Sequence, residues 1–217
     1  MSRYTEPEWP GSALITIDTQ RDTLDGQPFE VPGTSQVLPR MTALLNAYRV
    51  AGKPIVHIVR IYTADGANAD LCRRELLESG SKLLLAGSPG CQLAKELLPE
   101  PNSTLDVDRL LSGGIQILGP AEVVIFKPRW GAFYHTPLEQ YLRDNGVTTL
   151  VFSGCNFPNC PRTSIYEASE RDFRVVLAED AVSGLYEQGR RELHNIGVDI
   201  LPTDRIIEAV ERDDGLA

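Results

Sequence analysis

Short apolar runs alternate with amphipathic stretches along most of the chain. Residues 13–17 (ALITI) form an unbroken apolar run that ends at Asp18, the pattern of a strand buried on both faces. Between 35 and 51, apolar residues fall at Val37, Met41, Leu44, Leu45 and Tyr48. That spacing draws one helical stripe, and Pro39 fits it only in the first turn. Gly52 ends the helix, and 54-PIVHIVR-60 reads as the second strand. From 62 to 118 the periodicity weakens, which predicts an insertion carrying short helices at 71–78 and 92–98. The pattern then resumes with a strand at 122–127, a helix at 136–145, a strand at 148–153 and a helix at 161–172. A strand at 174–181, a helix at 187–196, a short strand at 198–201 and a helix at 204–212 complete it.

Strands alternating with helices predict an α/β fold, a Rossmann-like three-layer α/β/α arrangement around a mainly parallel six-stranded sheet. No Pro/Gly linker or internal repeat divides the chain, so residues 1–217 read as a single domain with the 62–118 insertion between strands two and three. Right-handed crossovers gather the carboxyl ends of the strands on one edge, where open α/β sheets bind their ligands. That edge should carry Asp18, Arg60, Lys127 and the segment 154-GCNFPNC-160.

Composition narrows the classes of function. The chain is 42% hydrophobic, enough for a sizeable core, and its net charge of −9 argues against a nucleic-acid partner. No apolar run approaches the roughly 20 residues that span a bilayer, and the acidic start MSRYTEPEWPGS lacks the apolar stretch of a secretion signal. Four cysteines, at 72, 91, 155 and 160, form no framework, so a cytoplasmic location with free thiols is the expectation.

Cys160 has three readings: a nucleophile, a disulfide or metal half-site with Cys155, or a small buried residue. Asp18 and Lys127 are ambiguous alone, since carboxylates often cap turns and lysines often end strands in solvent. Together at one edge, Asp, Lys and Cys make a nucleophile with a base and a cation. Pro161 predicts that Cys160 is the N-cap of a helix, where the positive end of the helix dipole would favour thiolate. Asp18 would then serve as general base and acid.

Three segments carry a family resemblance: 14-LITIDTQ-20, 124-VIFKPRWGAFYHTPLEQYL-142 and 150-LVFSGCNFPNCPRTSIYEASERDFRVVLAEDAVSG-184. In these the chain resembles the isochorismatase-like cysteine hydrolases, a superfamily that includes nicotinamidases and N-carbamoylsarcosine amidase. The resemblance implies a Cys160–Asp18–Lys127 catalytic triad. It also implies a non-proline cis peptide at Cys155–Asn156 and an oxyanion hole made by the N–H groups of Asn156 and Cys160. Pro158 and Pro161 depart from common family versions and leave specificity open.

The implied activity is a metal-independent amidohydrolase that cleaves a C–N bond of a small amide, ureido or carbamoyl compound through a thioester. Vinyl-ether hydrolysis of isochorismate and a non-catalytic dimerisation or binding module are the alternatives. Pocket candidates are Gln20, Leu24, Arg60, Trp130, Phe133 and Phe157, although Trp130 and Phe133 read equally well as core or interface residues. The metal-binding Asp-x-His pair of nicotinamidases has no counterpart, because His57 stands alone inside a strand and His135 and His194 lie elsewhere. The expectation is therefore no metal and no cofactor. By resemblance alone, a dimer or tetramer is expected.

Overall fold

The computed structural model describes residues 3–214, with side chains described through 212, so the first two residues of the acidic N-terminal segment lie outside it. The strands are β1 (Ser12–Ile17), β2 (Ile55–Val59), β3 (Gln116–Gly119), β4 (Glu122–Phe126), β5 (Thr149–Gly154), β6 (Arg174–Val182) and β7 (Asp199–Leu201). They form one sheet in the order β3–β4–β2–β1–β5–β6–β7. Every pairing is parallel except β3 with β4.

The sheet thus has seven strands rather than six. The additional strand is four residues long, pairs antiparallel at the edge and shifts register between Ile117 and Gly119. Its side chains are not buried, so it lacks the continuous apolar signature of the inner strands.

The helices are α1 (Thr34–Val50), α2 (Leu71–Glu78), α3 (Val107–Leu111), α4 (Leu138–Asp144), α5 (Cys160–Ser169), α6 (Glu187–Asn195) and α7 (Thr203–Asp214). One layer sets Leu38, Met41, Leu44, Leu45 and Tyr48 of α1, with Ile206 and Val210 of α7, against Leu14, Ile55, Val151 and Val176. On the opposite face α4, α5 and α6 pack Leu138, Leu142, Ile165 and Leu193 onto Ile15, Ile58, Ile125, Phe152 and Leu177. Odd and even positions of β1 serve opposite layers, as strand geometry requires.

Two details of the helices differ from the sequence reading. Pro39 lies inside α1, one turn deeper than predicted, where it leaves the Ser35 carbonyl without its intrahelical donor. Residues 92–98 contain only a 3-10 turn at Lys95–Leu97, because Leu93 bridges to Gln20 and the chain there runs extended.

A polar network lies beneath α1. His57 is fully buried and hydrogen-bonded through Nδ1 to Thr16 Oγ1 (2.7 Å) and through Nε2 to Glu122 Oε1 (2.8 Å). Arg49 closes the set on both Glu122 oxygens, at 2.8 and 2.7 Å. Burial pushes the Glu122 carboxyl up, but Arg49 and His57 more than offset it and hold it at about 2. The lone strand histidine is thus committed to structure.

Candidate active site

Strand order decides where chemistry can sit. From β1 the chain builds outward through β2 and β4, then returns to start β5 on the other side of β1. The crevice beyond the carboxyl ends of β1 and β5 is the topological switch point of the sheet. Asp18 leaves β1 there with φ 48°, a left-handed conformation unusual for a residue other than glycine. Its N–H donates to the Ile58 carbonyl (2.9 Å), and its own carbonyl accepts from Gln20 N–H (2.9 Å).

Across the crevice, Gly154 ends β5 with φ 117°, and a Cβ there would lie 2.2 Å from the Ile17 carbonyl oxygen. Only glycine allows the two strands to part this closely. The peptide bond Cys155–Asn156 is cis, as the resemblance implied. The Cys155 N–H donates to Ile17, Phe157 N–H to Ser183 and Asn159 N–H to Asn156. The intervening N–H groups of Asn156 and Cys160 take no hydrogen-bond partner among the described residues. Cys160 is the first residue of α5, with Asn159 as N-cap and Pro161 at the second position, one residue further into the helix than predicted.

Lys127 follows β4 and reaches this point from two strands away. Its ammonium is 2.9 Å from Asp18 Oδ2, 3.3 Å from Cys160 Sγ and 3.1 Å from the Arg129 carbonyl. Each of its three protons therefore has an acceptor. Burial depresses the ammonium, but the Asp18 carboxylate and then Cys160 outweigh it and raise Lys127 above the usual lysine range.

The structure reverses the expected ionisation of Cys160. Cys160 is only 8% exposed, and burial is the largest influence on its thiol. The Asp18 charge adds to burial, and both outweigh Lys127, so the thiol is held above the ordinary cysteine range. The helix terminus does not win against desolvation and a neighbouring carboxylate. Meanwhile Asp18 Oδ1 is buried without a hydrogen-bond partner among the described residues, which leaves a carboxylate oxygen open to receive a proton.

A cavity of about 300 Å³ opens over the three residues. Of the pocket candidates, Arg60 and Trp130 line it and Gln20, Leu24, Phe133 and Phe157 do not. Gln20 is buried and ties two loops together, donating to the carbonyls of Arg60 (2.9 Å) and Cys91 (2.5 Å) and accepting from Arg60 N–H (2.9 Å). Leu24 packs against the α1 layer. Phe133 and Phe157 belong to the core of the other layer, Phe133 tilted against Phe173 at 5.9 Å and Phe157 edge-on to Tyr186 at 5.4 Å. Among the wall residues that the sequence reading missed are Phe29, Val31, Tyr62, Asp70, Arg73 and Leu83. Tyr62, Asp70, Arg73 and Leu83 lie in the 62–118 insertion, where the periodicity weakens.

A family model described as an isochorismatase domain matches residues 12–109 and 115–197. A ureidoacrylate amidohydrolase from Methylobacterium radiotolerans is 29% identical over 200 residues, 83% of this chain and 69% of that protein. A protein of Arabidopsis thaliana named a probable inactive nicotinamidase is 28% identical over 198 residues, 88% of this chain and 91% of its own. Among solved structures, an isochorismatase family protein from Desulfovibrio vulgaris superposes with a TM-score of 0.77 at 31% identity, covering 93% of this chain and 99% of that one.

Proposed function

The chain belongs to the isochorismatase family, and from that premise we propose that it is a cysteine hydrolase cleaving a C–N bond of a small amide, ureido or carbamoyl compound through a thioester. The observation that carries this reading is the single ammonium of Lys127, within hydrogen-bond reach of both Asp18 (2.9 Å) and Cys160 (3.3 Å) at the floor of a cavity. The ureidoacrylate amidohydrolase relative supports the bond class.

Cys160 rests as a thiol. When a substrate carbonyl enters, Asp18 takes the sulfur proton and Sγ bonds to the carbonyl carbon. Negative charge grows on the carbonyl oxygen, and the free N–H groups of Asn156 and Cys160 are the donors available to hold it. Collapse of the tetrahedral species breaks the C–N bond, and Asp18 returns its proton to the leaving nitrogen. Asp18 then takes a proton from water, whose oxygen bonds to the thioester carbon. Breaking the C–S bond releases the acid, and the proton returns to sulfur. Through every step Lys127 stays charged, anchors Asp18 and offsets the charge on sulfur.

An ammonia-release screen over amides, ureas and carbamoyl compounds tests the reading, with Cys160→Ser as control. The expected result is turnover of at least one compound by the native protein and none by the variant. Native-level turnover by Cys160→Ser would rule the thioester route out. Turnover of isochorismate with no amide hydrolysed would favour the vinyl-ether alternative.

A further inference from the structure

Strand order leaves a gap that the site must bridge. Lys127 follows β4 and Cys160 follows β5, yet β2 and β1 lie between those strands in the sheet. Backbone pairing ties the Lys127 N–H to the Val59 carbonyl (3.0 Å) and the Cys155 N–H to the Ile17 carbonyl (2.9 Å). It does not tie the two segments to each other. Among the described residues, three hydrogen bonds join the segment 127–133 directly to α5. One is the Lys127 ammonium on Cys160 Sγ. The other two end on side chains of α5 that the mechanism does not use, Ser164 and Glu167.

Ser164 is fully buried one turn after Cys160. Its hydroxyl donates to the Cys160 carbonyl (2.7 Å) and accepts from the Ala132 N–H (3.0 Å). It thus touches both the nucleophile's own backbone and the loop that follows Lys127. Glu167 lies three residues further, on the same side of the helix. One of its carboxylate oxygens accepts from the next N–H along the loop, that of Phe133 (2.9 Å). Gly131 makes room for it, since a Cβ there would fall 2.2 Å from that oxygen. Residues 128–131 therefore run between two anchors, the sheet at Lys127 and α5 at Ala132. From this bridge the Arg129 carbonyl reaches back to the Lys127 ammonium (3.1 Å). Ala132 and Phe133 are buried, so without these acceptors their N–H groups could be satisfied only by moving the loop.

We propose that Ser164 and Glu167 are positioning residues that set the Lys127–Cys160 separation by clamping the loop after β4 onto the nucleophile's helix. The inference rests on the hydrolase reading above and adds two residues to its machinery. Neither side chain lines the cavity. Their effect passes through the placement of Lys127 and of the Arg129 carbonyl that holds it. A misplacement of about 1 Å in such a constellation is enough to cost about 100-fold in rate.

The test compares Ser164→Ala, Glu167→Ala, Gly131→Ala and Glu167→Gln with the native protein. Crystal structures read the distance from Lys127 Nζ to Cys160 Sγ without reference to turnover. Steady-state kinetics on one confirmed substrate, well below each melting temperature, read kcat and KM. In the three alanine variants the distance should lengthen by about 0.5 Å or more. Their kcat should fall about ten-fold or more, with KM changed about two-fold or less. Gly131→Ala should match Glu167→Ala, because it displaces the same carboxylate. Glu167→Gln keeps an oxygen for the Phe133 N–H, so its distance should be native and its kcat within about two-fold of native. A native distance in Ser164→Ala and Glu167→Ala overturns the clamp. So does a lengthened distance with native kcat, or a loss in Glu167→Gln equal to that in Glu167→Ala. Should Ser164→Ala fail to fold, Glu167→Ala and Gly131→Ala decide alone, since Glu167 is only half-buried. Lengthened distances in a protein that hydrolyses no compound uphold the clamp and overturn the hydrolase reading.

Discussion

The ammonium of Lys127 stands 3.3 Å from the sulfur of Cys160, yet that sulfur holds its proton more tightly than a free cysteine does. The same ammonium lies 2.9 Å from Asp18, and most of its charge is spent there. Lysine, aspartate and cysteine therefore share one proton inventory: a charged pair beside a neutral thiol. In the proposed mechanism, nucleophile activation is a proton transfer inside the cavity that begins when substrate enters, rather than a property of the resting protein.

Removing the lysine should damage stability and activity by different routes. Lys127→Met leaves the Asp18 carboxylate buried and uncompensated, which costs about 3–5 kcal/mol, and should lower activity about 100-fold or more. Adding Asp18→Asn removes the stranded charge. The double variant should regain most of the lost thermal stability while remaining inactive. Melting curves and turnover on one confirmed substrate check this. A double variant no more stable than Lys127→Met would mean that the lysine supports the fold by packing alone.

A neutral resting thiol predicts slow alkylation. Cys72 is the exposed cysteine and Cys160 is 8% accessible, so iodoacetamide should modify Cys72 first in the native protein. In a Cys72→Ser background, labelling of Cys160 at about pH 7 should be slow and should not level off by about pH 9, where an ordinary thiol is largely ionised. Mass spectrometry of the labelled peptides measures both rates. Rapid labelling of Cys160 that saturates near neutral pH would establish a resting thiolate.

The sequence led to Asp18, Lys127 and Cys160 because a parallel sheet makes the ends of its strands coincide, whatever the loops do. It led less well to the cavity wall. Phe133 and Phe157 lie close in sequence to Lys127 and Cys160, but their rings turn down into the α4–α6 layer. Arg73 and Leu83 come from the 62–118 segment of weak periodicity: the helix at 71–78 was legible, but its place over the cavity depends on a satellite cluster around Tyr62, Ala69 and Cys91. The forces on the Cys160 thiol were legible only in part, for a related reason. A helix dipole can be inferred from Pro161, whereas burial and the distance to a carboxylate exist only once the chain is folded.

Gly154 is the most constrained position in the site. Its φ of 117° disfavours any side chain, and a Cβ would approach the Ile17 carbonyl oxygen to 2.2 Å. Gly154→Ala should therefore destabilise the protein by about 3 kcal/mol or more, because β1 and β5 must separate to admit it. The same separation moves Asp18 away from the Cys155–Cys160 segment, so activity should fall even well below the melting temperature. Gly26→Ala has only the strain of φ 80° to bear, since no atom lies within 4 Å of its added Cβ. It should cost about 1 kcal/mol. Similar melting temperatures for the two variants would contradict the close strand contact.

Acid should unfold the protein through Glu122. Its carboxyl titrates near 4.5 in a free chain and at about 2 in the folded protein. A depressed folded value means that the unfolded state binds protons first, so this stabilisation is complete above pH 4.5 and is lost as pH falls toward 2. A shift of that size corresponds to at most about 3 kcal/mol. Chemical denaturation of the native protein should show stability dropping across this window. In Glu122→Gln the drop should be smaller, while stability near neutral pH is already lower because Arg49 and His57 lose their charged partner. An unchanged acid slope in the variant would assign the acid sensitivity to other carboxylates and remove Glu122 from the account.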